Sequence, residues 1–219
     1  MLKTNALFSL ENTLAKDYLA SFTYPWEALK GIKDFIKETG RNLNKDEYNE
    51  ISEEIWVHKE AKVAPTAYIG APCIIGKGTE VRHCAFIRGS ALIGEGCVIG
   101  NSTEVKNAII FNCVQVPHYN YVGDSILGYK SHLGAGAVTS NVKSDKSNVC
   151  VKYEGKIIET GLKKFGAMVG DGVEVGCNSV LNPGTVIGKN SNVYPLSRVR
   201  GVIKENHIFK DENSIIEKR

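Results

Sequence analysis

The sequence lacks an apolar run long enough to cross a bilayer, and Met1–Leu7 lacks a basic start followed by a long apolar stretch and a small-residue cleavage site. A soluble, cytoplasmic protein is the expectation. Charge of one sign is also missing. With 27 basic and 24 acidic residues the net charge is +3, too weak a field to predict a nucleic-acid or membrane partner, although a local basic pocket for an anionic substrate remains open. Of six cysteines (Cys73, Cys84, Cys97, Cys113, Cys150, Cys177) none forms a C-x-x-C pair. In a chain of 219 residues they read as reduced thiols rather than a disulfide framework or metal site. That length allows one well-buried domain with a smaller appendage.

What the chain does have is a repeat. From Val57 in steps of six come Val63, Ile69, Ile75, Val81, Ile87, Ile93, Ile99 and Val105, each a β-branched aliphatic. Four residues after the first eight of these stand Ala61, Ala67, Cys73, Thr79, Ala85, Ala91, Cys97 and Thr103, and the register changes at the bulky Ile109. A second block runs Val169, Val175, Leu181, Ile187, Val193, Val199, with small residues at Ser179, Thr185, Ser191 and Ser197. A period of six suits neither a helix nor a hairpin alternation, so the chain must turn after every short strand, and three steps close a triangular coil. The aliphatic points inward, the small residue fills a tighter inward position, and glycine (Gly70, Gly76, Gly94, Gly100) relieves the corners. The expectation is a mainly β protein, a parallel β-helix of about seven coils at ~4.8 Å spacing with a short N-terminal α-helical region.

Domain limits follow. Residues 1–54 form an N-terminal helical cap, 55–205 the β-helix, and 206–219 a C-terminal tail. Leu7, Leu10, Leu14 and Tyr18 predict one amphipathic helix over 7–22. Pro25 predicts the start of a second, with Leu29, Ile32, Phe35 and Ile36 on its apolar face and Gly40 as its stop. Such helices would cap the open edge of the first coil or buttress a subunit contact. Between Asn141 and Gly166 the hexad fails, and Val149, Val151, Tyr153, Glu154-Gly155, Ile157 and Ile158 predict a hairpin projecting near 148–160.

A repeat specifies an architecture and not a reaction. The stretch Val116-Pro-His118-Tyr-Asn-Tyr121-Val-Gly-Asp124 puts a histidine and a tyrosine three apart at the register change. Here, in Ala85-Phe-Ile-Arg88-Gly, in Gly100-Asn-Ser-Thr-Glu-Val-Lys106, in Leu133-Gly-Ala-Gly-Ala-Val-Thr-Ser-Asn141 and in Lys164-Phe-Gly, the chain resembles a known family. It is the acetyltransferase half of bacterial bifunctional glucosamine-1-phosphate acetyltransferase and N-acetylglucosamine-1-phosphate uridylyltransferase enzymes, with their stand-alone clostridial and archaeal relatives. The resemblance implies a left-handed coil, a homotrimer with sites between neighbouring subunits, and transfer of an acetyl group from acetyl-CoA to an amino-sugar phosphate. On it, His118 matches the general base, a role its ordinary pKa suits, and Glu104 the acid that orients it. Arg88 and Lys106 match the cations that hold the sugar phosphate. Tyr121, Asn141 and Lys164 match further substrate contacts. His132 stands where the family usually has asparagine at the substrate site. Ala135 and Cys177 match positions near the thioester, Cys177 where serine is common. The two differences bear on sugar and acyl preference.

Two other functions fit a solenoid. A non-catalytic scaffold or regulatory subunit would use the repeat as a binding surface. A zinc enzyme resembling the gamma-class carbonic anhydrases needs two histidines five apart, and His58, His83, His118, His132 and His207 contain no such pair. Residues 1–54 hold no glycine-rich nucleotide loop with arginine and lysine, so uridylyl transfer is not expected.

Overall fold

The structure, a computed structural model, describes residues 1–218. It is mainly β, and its short strands wind into a three-walled parallel β-helix, the fold class that the hexad implies. The first wall stacks Ile55–His58, Cys73–Ile75, Ala91–Ile93, the ends of Glu104–Ile110 and Tyr121–Leu127, then Ala167–Val169, Thr185–Ile187 and Val202–Ile203. The second wall runs from Lys62–Val63 through Glu80–Val81, Val98–Asn101, Gln115–His118, His132–Leu133, Glu174–Val175 and Asn192–Val193 to His207–Asp211. The third wall holds Tyr68–Ile69, Phe86–Ile87, the starts of Glu104–Ile110 and Tyr121–Leu127, then Val138–Thr139, Val180–Leu181 and Arg198–Val199.

The hexad side chains do what their spacing requires. Ile75, Ile87, Ile93, Ile99 and Val105 have no exposure. The small inward residues add hydrogen bonds between coils: Thr79 Oγ1 donates to Gly94 O at 2.7 Å and accepts from Cys97 N at 3.0 Å. Val63 departs from the pattern at 37 % exposure, because its strand begins the second wall and has a neighbour on one side only. Gly100 is required by close approach, since a Cβ there would lie 1.6 Å from Pro117 O.

The register change is a shortened coil. Leu92 sits beside Ile74 at a step of 18 residues, but Ile109 sits beside Leu92, and Ile126 beside Ile109, at steps of 17. Ile109 thereby leaves the small inward series and joins an outward column, Ile74, Leu92, Ile109, Ile126, Met168 and Val186, all fully buried. Water would meet this column if nothing covered it. The N-terminal segment does, with Leu7, Phe8, Leu19, Trp26, Ala28, Leu29, Ile32 and Ile36 in the same core, each large side chain contributing about 1.5–3 kcal/mol by burial.

That segment is not two continuous helices. The expected helix over 7–22 is broken into Thr4–Leu7, a 3-10 turn Leu10–Asn12 and Lys16–Ala20. At the breaks its backbone is bonded to the prism: Ser9 N donates to Asp171 Oδ2 (2.7 Å), Asp171 N to Leu7 O (3.2 Å) and Asn112 N to Asn12 O (3.0 Å). Pro25 opens a 3-10 helix, Pro25–Lys30, before the α-helix Ile32–Arg41. Gly40 lies inside that helix and is no stop; a Cβ there would meet the Trp56 ring at 2.2 Å. Ile32–Arg41 lies flat along the first wall against Cys73–Ile75, Ala91–Ile93 and Glu104–Ile110. The edge of the first wall is covered by the antiparallel strand Tyr48–Ser52. At the far end, His207–Asp211 extends the second wall past residue 205 and is closed by Ser214–Glu217.

Where the hexad fails, Val149–Tyr153 and Lys156–Leu162 pair as a hairpin. Its turn residues Glu154 and Gly155 both have positive φ, 48° and 73°, as a two-residue turn of the primed type requires. Among the described residues no helix is long and apolar enough to cross a membrane.

Candidate functional site

Parallel register builds the site. Glu104 lies beside Phe86 on one side and Tyr121 on the other, and Tyr121 beside Val138. Two residues on, Lys106 pairs with Gly123, and Arg88, whose N–H donates to Val105 O, lies one coil before Lys106. The two cations therefore face the same way. Asp124 is the hub: only 4 % exposed, it accepts from Lys106 Nζ (3.2 Å), Asn107 Nδ2 (2.8 Å) and Asn141 Nδ2. Asn141 Nδ2 also donates to Tyr121 Oη at 3.2 Å. Burial, reinforced by the Asp124 and Glu104 charges, pushes the Tyr121 phenol above its ordinary value, so it stays neutral.

After the hairpin the chain returns to this point. Phe165 N donates to Asn141 O and Gly166 N to Asp124 O, which brings Lys164 to the rim. The result is a cavity of about 460 Å³ lined by Lys30, Lys33, Arg88, Lys106, Asp124 and Lys164 among others. Arg88, Lys106, Tyr121, Asn141 and Lys164 are thus brought together, as is Glu104. The Glu104 partner differs from the expectation. Its carboxylate accepts from Arg88 Nη1 at 2.8 Å and raises the guanidinium pKa further; it does not touch the His118 ring. The third-wall register explains this, because it stacks residues 104 and 121 face to face while His118 belongs to the second wall.

His118 ends the second-wall strand Gln115–His118, exposed, at the corner that leads to the third wall. Its backbone N–H donates to Asn120 Oδ1 (3.1 Å). Asn120, buried, fixes this corner by donating to Gly134 O (2.8 Å) and Ala137 O (3.1 Å). Among the described residues no side chain hydrogen-bonds the His118 ring, leaving both ring nitrogens open.

The same corner continues upward. Gln115 pairs with His132 and His132 with Glu174, steps of 17 and 42, so Ala135 and Cys177 stand over His118 in the next two coils. Backbone bonds trace that column: Gly136 N to His118 O, Asn178 N to Ala135 O, Leu196 N to Cys177 O. Among the described residues the N–H groups of Ala135 and Cys177 themselves meet no acceptor. His132 is not part of either group. It opens its second-wall strand, at the other end from the His118 corner, and its Nδ1 pairs with Glu174 Oε2 at 2.7 Å.

Asp124, Asn120, Lys30 and Lys33 were not singled out by sequence. Asp124 left a signal, a carboxylate in an otherwise apolar or small strand. The two lysines left none, since only packing brings the N-terminal segment to this cavity.

The coils and the cation-lined cavity on one wall define a hexapeptide-repeat β-helix protein. No family model matches the chain. It resembles curated proteins named Bifunctional protein GlmU: that of Methanococcus maripaludis is 30% identical over 207 residues, 93% of this chain and 50% of that protein. The Methanococcus vannielii protein of the same name is 31% identical over 160 residues, 73% of this chain and 34% of the relative. A bifunctional sugar-1-phosphate nucleotidylyltransferase/acetyltransferase of Sulfurisphaera tokodaii is 34% identical over 103 residues, 47% and 26% of the two chains. The chain spans half or less of the length of these relatives.

Proposed function

We propose that this chain is a cytoplasmic N-acetyltransferase that moves an acetyl group from acetyl-CoA to the amine of an amino-sugar phosphate, glucosamine-1-phosphate or a close relative. The observation that carries the proposal is that one chain presents both a cation-lined cavity, with Arg88, Lys106 and Lys164 at the far end of the third wall, and, at the corner that opens that wall, an exposed imidazole, His118, whose ring nitrogens meet no side chain among the described residues. The names of the relatives, which include a bifunctional sugar-1-phosphate nucleotidylyltransferase/acetyltransferase, support the same chemistry.

In this mechanism Arg88, Lys106 and Lys164 hold the phosphate, and Tyr121 and Asn141 hold the sugar. The His118 ring takes a proton from the amine as the amine nitrogen attacks the thioester carbonyl carbon. The carbonyl π pair moves to oxygen, and the open N–H groups of Ala135 and Cys177 are suited to receive that oxyanion. Collapse restores the carbonyl and breaks the carbon–sulfur bond, and the thiolate leaves with a proton returned from His118. Neighbouring copies would complete the groove as a homotrimer. Exposed apolar side chains on the third wall and its corner, Tyr68 (61 %), Phe86 (43 %) and Leu196 (80 %), support association there.

Thiol release from acetyl-CoA, followed with a panel of amino-sugar phosphates, tests the proposal. His118→Ala is expected to lower turnover by roughly 10²–10⁴-fold while leaving the fold intact. An unchanged rate in that variant, or no stimulation by any acceptor, would overturn it.

A further inference from the structure

The cavity beside Asp124 has two tiers of cations, and they differ in how much charge they can offer a ligand. The inner tier is already engaged: Arg88 with Glu104 at 2.8 Å and Lys106 with Asp124 at 3.2 Å. The outer tier is Lys164, from the end of the hairpin, with Lys30 and Lys33, from the N-terminal segment. Among the described residues none of these three forms a salt bridge, and all three are exposed. Five cations thus face two carboxylates, and the uncompensated charge sits on the outer tier.

Three separate pieces of chain fix that tier. Asn107 Nδ2 donates to Leu29 O at 3.2 Å and to Asp124 Oδ1, tying the N-terminal segment to the hub of the site. A Cβ built on Gly161 would lie 3.9 Å from Lys30 Nζ, so Lys30 reaches across to the base of the hairpin. Leu29 and Ile32, which flank the lysines, are buried at 3 % and 0 % and hold the backbone still beneath them.

We propose that Lys30 and Lys33 are phosphate ligands of this cavity, and that the N-terminal segment is a working part of the acceptor site as well as a cover for the first wall. Their partner is a phosphoryl dianion, which needs more positive charge than two cations already paired with carboxylates supply. The inference rests on the acceptor being a phosphorylated amino sugar, but it concerns binding, which can be read without acetyl transfer.

The test compares the full chain with its Lys30→Gln/Lys33→Gln variant, two exposed changes whose effect on folding is checked by a thermal melt. Calorimetric titration with glucosamine-1-phosphate and with inorganic phosphate reads the site directly. Steady-state kinetics add KM for the acceptor, KM for acetyl-CoA and kcat. Two charge-assisted contacts predict roughly tenfold weaker binding of both probes and a matching rise in acceptor KM, with kcat and the acetyl-CoA KM within about twofold. Rising salt should weaken the original chain toward the variant. Equal binding of both probes by the two proteins, or no phosphate binding by the original, overturns the proposal. Weakened phosphate binding in a chain that acetylates no acceptor would uphold the phosphate site and sink the transferase assignment alone.

Discussion

Asp124 is the residue on which the candidate site turns. It sits in a strand, 4 % exposed, with φ 47°, a conformation that asparagine and aspartate tolerate better than most residues. Its carboxylate gathers Lys106, Asn107 and Asn141, side chains from the coils before and after its own. Asp124→Asn keeps the shape and backbone angle but removes the charge and puts an NH2 donor where one carboxylate oxygen now accepts. Denaturant unfolding should show a loss of about 1–3 kcal/mol, and the acceptor KM should rise as Lys106 loses its anchor; unchanged values for both would deny the hub role. The residue scale also shows where sequence stops being legible. The family resemblance named Arg88, Lys106, Tyr121 and Asn141 together, and the parallel register of successive coils is what lays them on one surface. It did not give the partner of Glu104, because ion pairs are chosen by where flexible tips meet.

At the scale of elements, the N-terminal segment is the least legible part and the strands are the most. A strand in a coil is dictated by inward aliphatics at fixed steps. The helix expected over 7–22 had its apolar spacing, yet the prism, through Asp171 and Asn112, offers Leu7, Ser9 and Asn12 backbone partners that a continuous helix would forgo. Tyr18 ties this segment together: its hydroxyl donates to Ala28 O at 2.6 Å and its ring stacks on Phe35 at 4.3 Å. Burial, then the Asp34 charge, pushes its pKa from 10.0 to about 12. The folded chain therefore holds this proton more tightly than the unfolded one. The resulting stability is fully present below pH 10 and is lost as pH rises through about 12. Melting temperatures across that window should fall more steeply for the original protein than for Tyr18→Phe; parallel curves would contradict the assignment.

The molecule as a whole behaves as a stack in which each coil protects the one beside it. Cys73 and Cys97 occupy the small inward position, and burial pushes both thiols up to about 12. Neutral thiols without solvent access are poor nucleophiles. Alkylation of the native protein near neutral pH, read by mass spectrometry, should modify the exposed Cys84 and Cys113 and spare Cys73 and Cys97 until denaturant opens the coils. Labelling of Cys97 as fast as Cys84 would mean that the stack breathes between coils.

The helical cover on one wall also has a consequence for symmetry. A bare triangular prism could meet a second copy through any of its three sides. Here one side is upholstered by its own chain, so direct sheet-to-sheet contact between copies is limited to the other two, and the prism acquires a front and a back.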